Sequence, residues 1–261
     1  MALLDIQNIS LGFGGIKALS EVSFHIADGE TVALIGPNGA GKTSVFNCIS
    51  GFYKPQQGSM RFAGTNLMPK KPHQVARLGI GRGFQNIELF PTLSCLENLL
   101  LGRHLHVRAN LIDAMFASPR WRRAEIEQRK RVEDLMDILD LQAFRDMPVA
   151  SLPYGIKKLI EVARALASEP SLLLLDEPTA GMTAEEKDEM IFRLMSLKKE
   201  LGLSLLVVEH DLRVVSQLAE RIVVLDYGVK IADGSPNEVQ RNPEVVKAYL
   251  GDQQLEEVAR A

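Results

Sequence analysis

The spacing of apolar positions changes character twice along the chain. From the start, Leu3 to Ile9, Val22 to Ile26 and Thr31 to Ile35 are apolar-rich segments of strand length, separated by turn signals at Gly14-Gly15 and Asp28-Gly29. From about Pro72 to Ala167 helical spacing takes over. Val132, Leu135, Met136 and Leu139 recur on one face, and Ser94 with Glu97 forms a capping box ahead of Leu99 to Leu101, so this middle third is expected to be mainly helical. After Ser168 the two periods alternate: strand Leu172 to Leu175, helix Lys187 to Leu201 behind a Thr183/Glu186 capping box, strand Leu203 to Val208 and strand Ile222 to Leu225. In the helix, Met190, Ile191, Leu194, Leu197 and Leu201 make one apolar face suited to packing on a sheet. Alternation of this kind predicts an α/β fold with a mostly parallel core sheet covered by helices. Two short helices are expected after Pro236 and Pro243, followed by a polar tail after Gly251.

Composition narrows the class. The chain has 261 residues, 46% of them hydrophobic, enough to bury a full core. Thirty basic residues stand against thirty-three acidic ones, a formal charge of −3, which gives no general attraction for nucleic acid or anionic lipid. No nucleic-acid partner is expected, and any membrane association would run through a protein partner. The basic, aromatic stretch Arg120, Trp121, Arg122, Arg123 is read accordingly as a solvated helix face or subunit contact. MALLDIQN lacks a basic leader and Asp5 interrupts its apolar start, while the longest apolar runs fall far short of the roughly 18 residues of a membrane span, so a cytoplasmic location is expected. Cys48 and Cys95, without a CxxC or Cys/His cluster, are expected to be buried small hydrophobes.

The chemistry concentrates in a few stretches. GPNGAGKT, Gly36 to Thr43, fits the phosphate-binding loop pattern and sits in the required setting, between the strand Thr31 to Ile35 and the helical run Ser44 to Ser50. Its glycines let backbone N–H groups of Gly36, Pro37-Asn38, Gly39, Ala40, Gly41, Lys42, Thr43 and Ser44 close around phosphate, proline itself contributing none. Lys42 reaches the β- and γ-phosphates, and Thr43 offers a hydroxyl to Mg²⁺. LLLLDEP, Leu172 to Pro178, is a buried strand ending in two carboxylates, at the strand end where α/β folds keep ligands. Asp176 suits Mg²⁺, and Glu177 suits orienting or deprotonating the attacking water. Separately, LPYGIKKLIEVARAL places Gly155 before an amphipathic helix, a shape that suits an anion.

This combination resembles the ATP-binding cassette family, the motor subunits of ABC transporters, and the resemblance spans nearly the whole chain. It implies a P-loop NTPase cassette with an antiparallel β subdomain and a helical subdomain beside the parallel core. The division it implies is 1–85 for the first part of the core, 86–167 for the helical subdomain, 168–235 for the second part of the core and 236–261 for C-terminal helices and tail. Gln85, in GRGFQNIELF, matches the family's Q-loop glutamine, a metal contact that moves with the helical part. His210, in VVEHD, matches the switch histidine at the γ-phosphate, and Phe13, in LGFGG, matches the aromatic that stacks on adenine. LPYGI stands where the family has LSGGQ, so Gly155 is implied to face the ATP of a second cassette, identical or similar. Pro153, Tyr154 and Ile156 depart from that signature, Ile156 by removing a polar side chain expected at the dimer face. AGMT, Ala180 to Thr183, departs from the usual loop after the carboxylates.

NCISGFYKPQQGSM, RGFQNIELFPTLSCLENLL, AGMT, NPEVVKAYLG and the segment between Gly102 and Arg123 all look like the cassette of branched-chain amino acid importers. The implied function is an ATP-hydrolysing motor on the cytoplasmic face of the membrane, bound to permease subunits and served indirectly by a periplasmic binding protein. Cassettes for urea or short amides and for lipopolysaccharide export share these features. A nucleotide-binding regulatory cassette with little turnover is the alternative that Ile156 and AGMT leave open, and a soluble non-transport cassette would call for paired cassettes or coiled-coil insertions.

Overall fold

A computed structural model describes residues 2–83, 87–106 and 119–249. In chain order the elements are β1 (Ala2–Phe13), β2 (Ile16–Ala27), β3 (Thr31–Ile35), α1 (Lys42–Ile49), β4 (Gln57–Phe62), β5 (Thr65–Asn66), α2 (Pro72–Arg77) and β6 (Ile80–Gly83). There follow α3 (Cys95–Gly102), α4 (Pro119–Ile138), α5 (Tyr154–Leu166), β7 (Leu172–Asp176), α6 (Ala184–Leu201) and β8 (Ser204–Val208). The chain continues through α7 (Leu212–Leu218), β9 (Arg221–Asp226), β10 (Val229–Gly234) and α8 (Pro236–Gln240) to α9 (243–249).

The strands form two sheets. A four-stranded antiparallel sheet runs β2-β1-β4-β5, and a six-stranded sheet runs β10-β9-β3-β8-β7-β6. In the second, β9, β3, β8, β7 and β6 are mutually parallel and only β10 is antiparallel to its neighbour. The parallel strands are buried on both faces, and their side chains alternate between two cores, as the pleat requires. Leu173 and Leu175 of β7 join Leu205 and Val207 of β8 in one core with α3, α4, α5 and α6. Leu172, Leu174, Leu206 and Val208 point the other way, into a core shared with α1 and the antiparallel sheet. A smaller core sets Val215, Val239 and Val245 against Ile35 and Val224.

Both capping boxes form: Ser94 Oγ accepts from Glu97 N, and Thr183 Oγ1 accepts from Glu186 N. The structure adds strands to the expected ones and corrects one helix face. The middle third is mainly helical, with one added strand, Ile80–Gly83, which pairs parallel with β7. Its sequence, IGRG, is too short and glycine-rich to carry a period, and Gly81 is needed where a Cβ would lie 2.9 Å from Pro170 Cγ. Strands β4, β5 and β10 are not among the expected ones, although in β4 Met60 and Phe62 alternate with Ser59 and Arg61 and point into the core. Leu201 does not belong to the buried face of α6: it is 44% exposed at the last turn, before Gly202 ends the helix in the left-handed region at φ +64°.

Cys48 and Cys95 are buried and neither is in a disulfide; burial pushes their thiols up to about 12 and about 11. Trp121, Arg122 and Arg123 lie on α4, with both arginines exposed, while most of the segment between Gly102 and Arg123 and the tail after Gly251 lie outside the described residues. Among the described residues no helix is long and apolar enough to cross a membrane.

Candidate active site

The loop between β3 and α1 contains two glycines, Gly36 and Gly41, where any side chain would meet neighbouring atoms. Gly36 has φ +148°, and a Cβ there would lie 2.1 Å from the carbonyl oxygen of Leu225 on β9. Gly41, the residue that caps α1, has φ +101°, and a Cβ there would lie 2.7 Å from the carbonyl of Ala18. The loop is thereby pressed against the sheets. Helix α1 has no side-chain cap and no acidic residue in its first turn, so its N–H groups and positive dipole end are left to face an external anion. Lys42, only 7% exposed, is held over the loop by donating to the carbonyls of Gly36 at 2.7 Å and Pro37 at 3.0 Å. Burial pushes its pKa down, against the charges of Glu177 and Asp176.

Two strands away, β7 ends in the carboxylates. Asp176 is 6% exposed, and burial pushes its pKa up. The Arg82 guanidinium, 3.9 Å away, opposes that shift. Arg82 is itself tied to α1 through Asn47 Oδ1 at 2.8 Å and Ser50 Oγ at 3.3 Å, and it lies over the rings of Phe46 and Phe52. Glu177 adopts φ +51°, a left-handed conformation that costs a non-glycine residue on the order of 1–3 kcal/mol. Its N–H donates to Val208 O at 2.9 Å, and its Oε1 lies 2.7 Å from His210 Nε2.

Between them stands a residue that no sequence motif singles out. Glu209 is 4% exposed, and its Oε1 accepts from both Thr179 N, at 3.0 Å, and Thr179 Oγ1, at 2.7 Å. It ties the end of β8 to the loop that follows Glu177. Its only sequence signal is an acid directly after the apolar run Leu205 to Val208, indistinguishable from a solvated strand end.

Asn38, Gly39, Ala40, Gly41, Lys42, Thr43, Ser44, Asp176, Glu177 and His210 line one cleft of about 300 Å³. Gly36 and Pro37 supply the carbonyls beneath Lys42. Gln85 lies outside the described residues. Phe13 ends β1, 48% exposed, and packs edge-on to Tyr53 with ring centroids 5.1 Å apart, a second aromatic that the sequence pattern does not mark. Gly155 lines a different cavity, of about 140 Å³, with Ile156 and Glu186 among its walls; a Cβ on Gly155 would lie 2.8 Å from Glu186 Oε1. Ile156 is half-buried and packs on the helical core, so its apolar side chain has an internal use.

The donors present suit a hard cation shared with phosphate. No group of three or more His, Cys, Asp or Glu among the described residues could cage a metal, whereas Mg²⁺ needs only one or two protein oxygens plus those of its nucleotide. The buried carboxylate of Asp176 and the hydroxyl of Thr43, in one cleft, meet that need.

Residues 19–180 match the ABC transporter family, and the chain belongs to it. Membership implies ATP binding and ATP hydrolysis in transport. Residues 229–254 match a second family, the branched-chain amino acid ATP-binding cassette transporter. The high-affinity branched-chain amino acid transport ATP-binding protein BraF of Pseudomonas aeruginosa is 36% identical over 250 residues, covering 96% of this chain and 98% of its own length. A nucleotide-free ATP-binding cassette from an ABC transporter superposes with a TM-score of 0.84 at 30% identity, over 97% of this chain and all of that one. A dimeric ATP-binding cassette in a post-hydrolysis state, bound to ADP and Pi, superposes with a TM-score of 0.73 at 27% identity, over 89% of this chain and 98% of that one.

Proposed function

We propose that this chain is the ATP-hydrolysing motor subunit of an importer for branched-chain amino acids. The observation that carries the proposal is the meeting of Lys42, Asp176, Glu177 and His210 in one cleft at the mouth of the phosphate loop. The 36% identity to BraF over nearly the whole chain supports the cargo.

In this reading the loop N–H groups and Lys42 hold the triphosphate, trading the lysine's bonds to Gly36 and Pro37 for bonds to phosphate. Thr43, Asp176 and Gln85 would hold Mg²⁺, whose charge would offset that of the phosphate oxygens. Glu177 orients the water and takes its proton. His210, bonded to Glu177, fixes that carboxylate and reaches the γ-phosphate. Phe13 stacks on the adenine. Phosphoryl transfer needs positioning and charge stabilisation above all, and these groups supply both.

Gly155 and the start of α5 complete the cleft of a second cassette, identical or similar, so turnover requires a head-to-tail pair. The dimeric relative bound to ADP and Pi supports this arrangement. The chain sits on the cytoplasmic face of the membrane against permease subunits that receive cargo from a periplasmic binding protein. Residues 86–167 act as the helical lobe that passes closure to the permease, between core parts 1–85 and 168–235.

The test is uptake by proteoliposomes holding the whole transporter. ATP-dependent accumulation of leucine, isoleucine and valine, abolished by Glu177→Gln, is expected. ATP hydrolysis without uptake of any aliphatic amino acid would overturn the cargo.

A further inference from the structure

Two positions at which this chain departs from its family's common pattern touch one another. The hydroxyl of Tyr154 donates to the carbonyl of Ala180 at 3.1 Å. Its ring lies so close to Gly181 that a Cβ there would be 3.2 Å from both Cε1 and Oη of Tyr154. Gly181 also has φ +77°, so a side chain at this position would be strained twice. The large residue in the signature and the small one in the loop after the carboxylates are therefore complementary.

The contact leads directly to the candidate base. Ala180 N donates to the carbonyl of Glu177 at 3.2 Å, closing the turn whose other side Tyr154 holds. Glu177 sits in a strained left-handed conformation that its surroundings must enforce. Tyr154 is the first residue of α5, next to Gly155. The helix start is thus linked through one hydrogen bond and one ring contact to the turn that follows Glu177.

We propose that Tyr154 is a positioning residue that couples the start of α5 to Glu177 of the same chain, setting the base's geometry according to what the helix start contacts. The inference rests on the ATPase reading above. Its side chain acts within its own chain, through the turn Glu177 to Gly181.

The experiment is ATP hydrolysis by the full chain in its transporter complex, with Tyr154→Phe, Gly181→Ala and the double variant. Tyr154→Phe keeps the ring and loses the hydrogen bond. It is expected to lower kcat about tenfold while KM for ATP and the melting temperature hold. Gly181→Ala displaces the ring, and the double variant is expected to be no slower than the worse single one, because both remove the same link. Unchanged kcat in Tyr154→Phe, multiplying losses in the double variant, or a kcat that falls only with melting temperature would each overturn the coupling while leaving the ATPase reading intact. A wild-type complex that does not hydrolyse ATP would defeat the ATPase reading instead.

Discussion

His210 Nε2 and Glu177 Oε1 lie 2.7 Å apart at the ends of two neighbouring parallel strands. The bond orients the carboxylate. Glu177→Gln keeps the shape and removes the basic oxygen. Turnover is expected to fall by on the order of 100-fold or more, with ATP affinity within a few-fold, measured by phosphate release and by nucleotide titration. A wild-type rate would remove Glu177 from the role of base.

Burial of the Asp176 carboxylate carries a stability cost. Its pKa is raised above the ordinary 3.8, chiefly by burial, so the folded chain binds the proton more readily than the unfolded one. Stability from this group therefore falls as pH rises from 3.8 through the raised value and stays low above it. Asp176→Asn should melt higher than wild type in nucleotide-free buffer at pH 7, by a margin that shrinks toward pH 4, while hydrolysis drops on the order of 100-fold. A lower melting temperature at pH 7 would contradict the sign.

Gly36 and Gly39, two of the three loop glycines, differ in a way that substitution separates. Gly36→Ala must drive a Cβ into the backbone of Leu225, so a loss of about 3 kcal/mol or more is expected in urea unfolding. Gly39 has φ +82°, and a Cβ added to it would meet nothing within 4 Å, so Gly39→Ala should cost only about 1–2 kcal/mol of backbone strain. Equal losses would mean that the packing of the loop on β9 is misdescribed.

Glu209 is the acceptor for two donors of Thr179 at a buried position. Glu209→Ala leaves both without a partner and should cost about 2–4 kcal/mol, whereas Glu209→Gln, which retains an acceptor oxygen, should cost less than half of that. Thermal or urea unfolding of the two variants distinguishes them. A Gln variant as unstable as the Ala variant would show that charge, not acceptance, is what the site needs.

The legible parts of this molecule are those in which one physical constraint acts on adjacent residues. The phosphate loop reads plainly because Gly36 and Gly41 each occupy a backbone conformation and a space that only glycine fits. The helices at Ser94 and Thr183 read plainly because a capping box is a contact over three residues. What stays hidden depends on contacts between distant segments. β6 is a strand only because β7 pairs with it, Tyr53 matters only because Phe13 lies beside it, and Glu209 matters only because Thr179 folds back onto it. Ile156, a lost polar contact when the sequence is read alone, has a different meaning once its packing on the helical core is seen.

The central claim is that one chain's cleft is completed by the helix start of another, and light scattering on size-separated Glu177→Gln protein tests it most directly. With saturating ATP and Mg²⁺ the mass should correspond to two cassettes, returning to one when EDTA or ADP replaces them, and Gly155→Asp should abolish the pairing without abolishing ATP binding. A Glu177→Gln chain that binds ATP yet stays single, both alone and with its permease, would contradict the account.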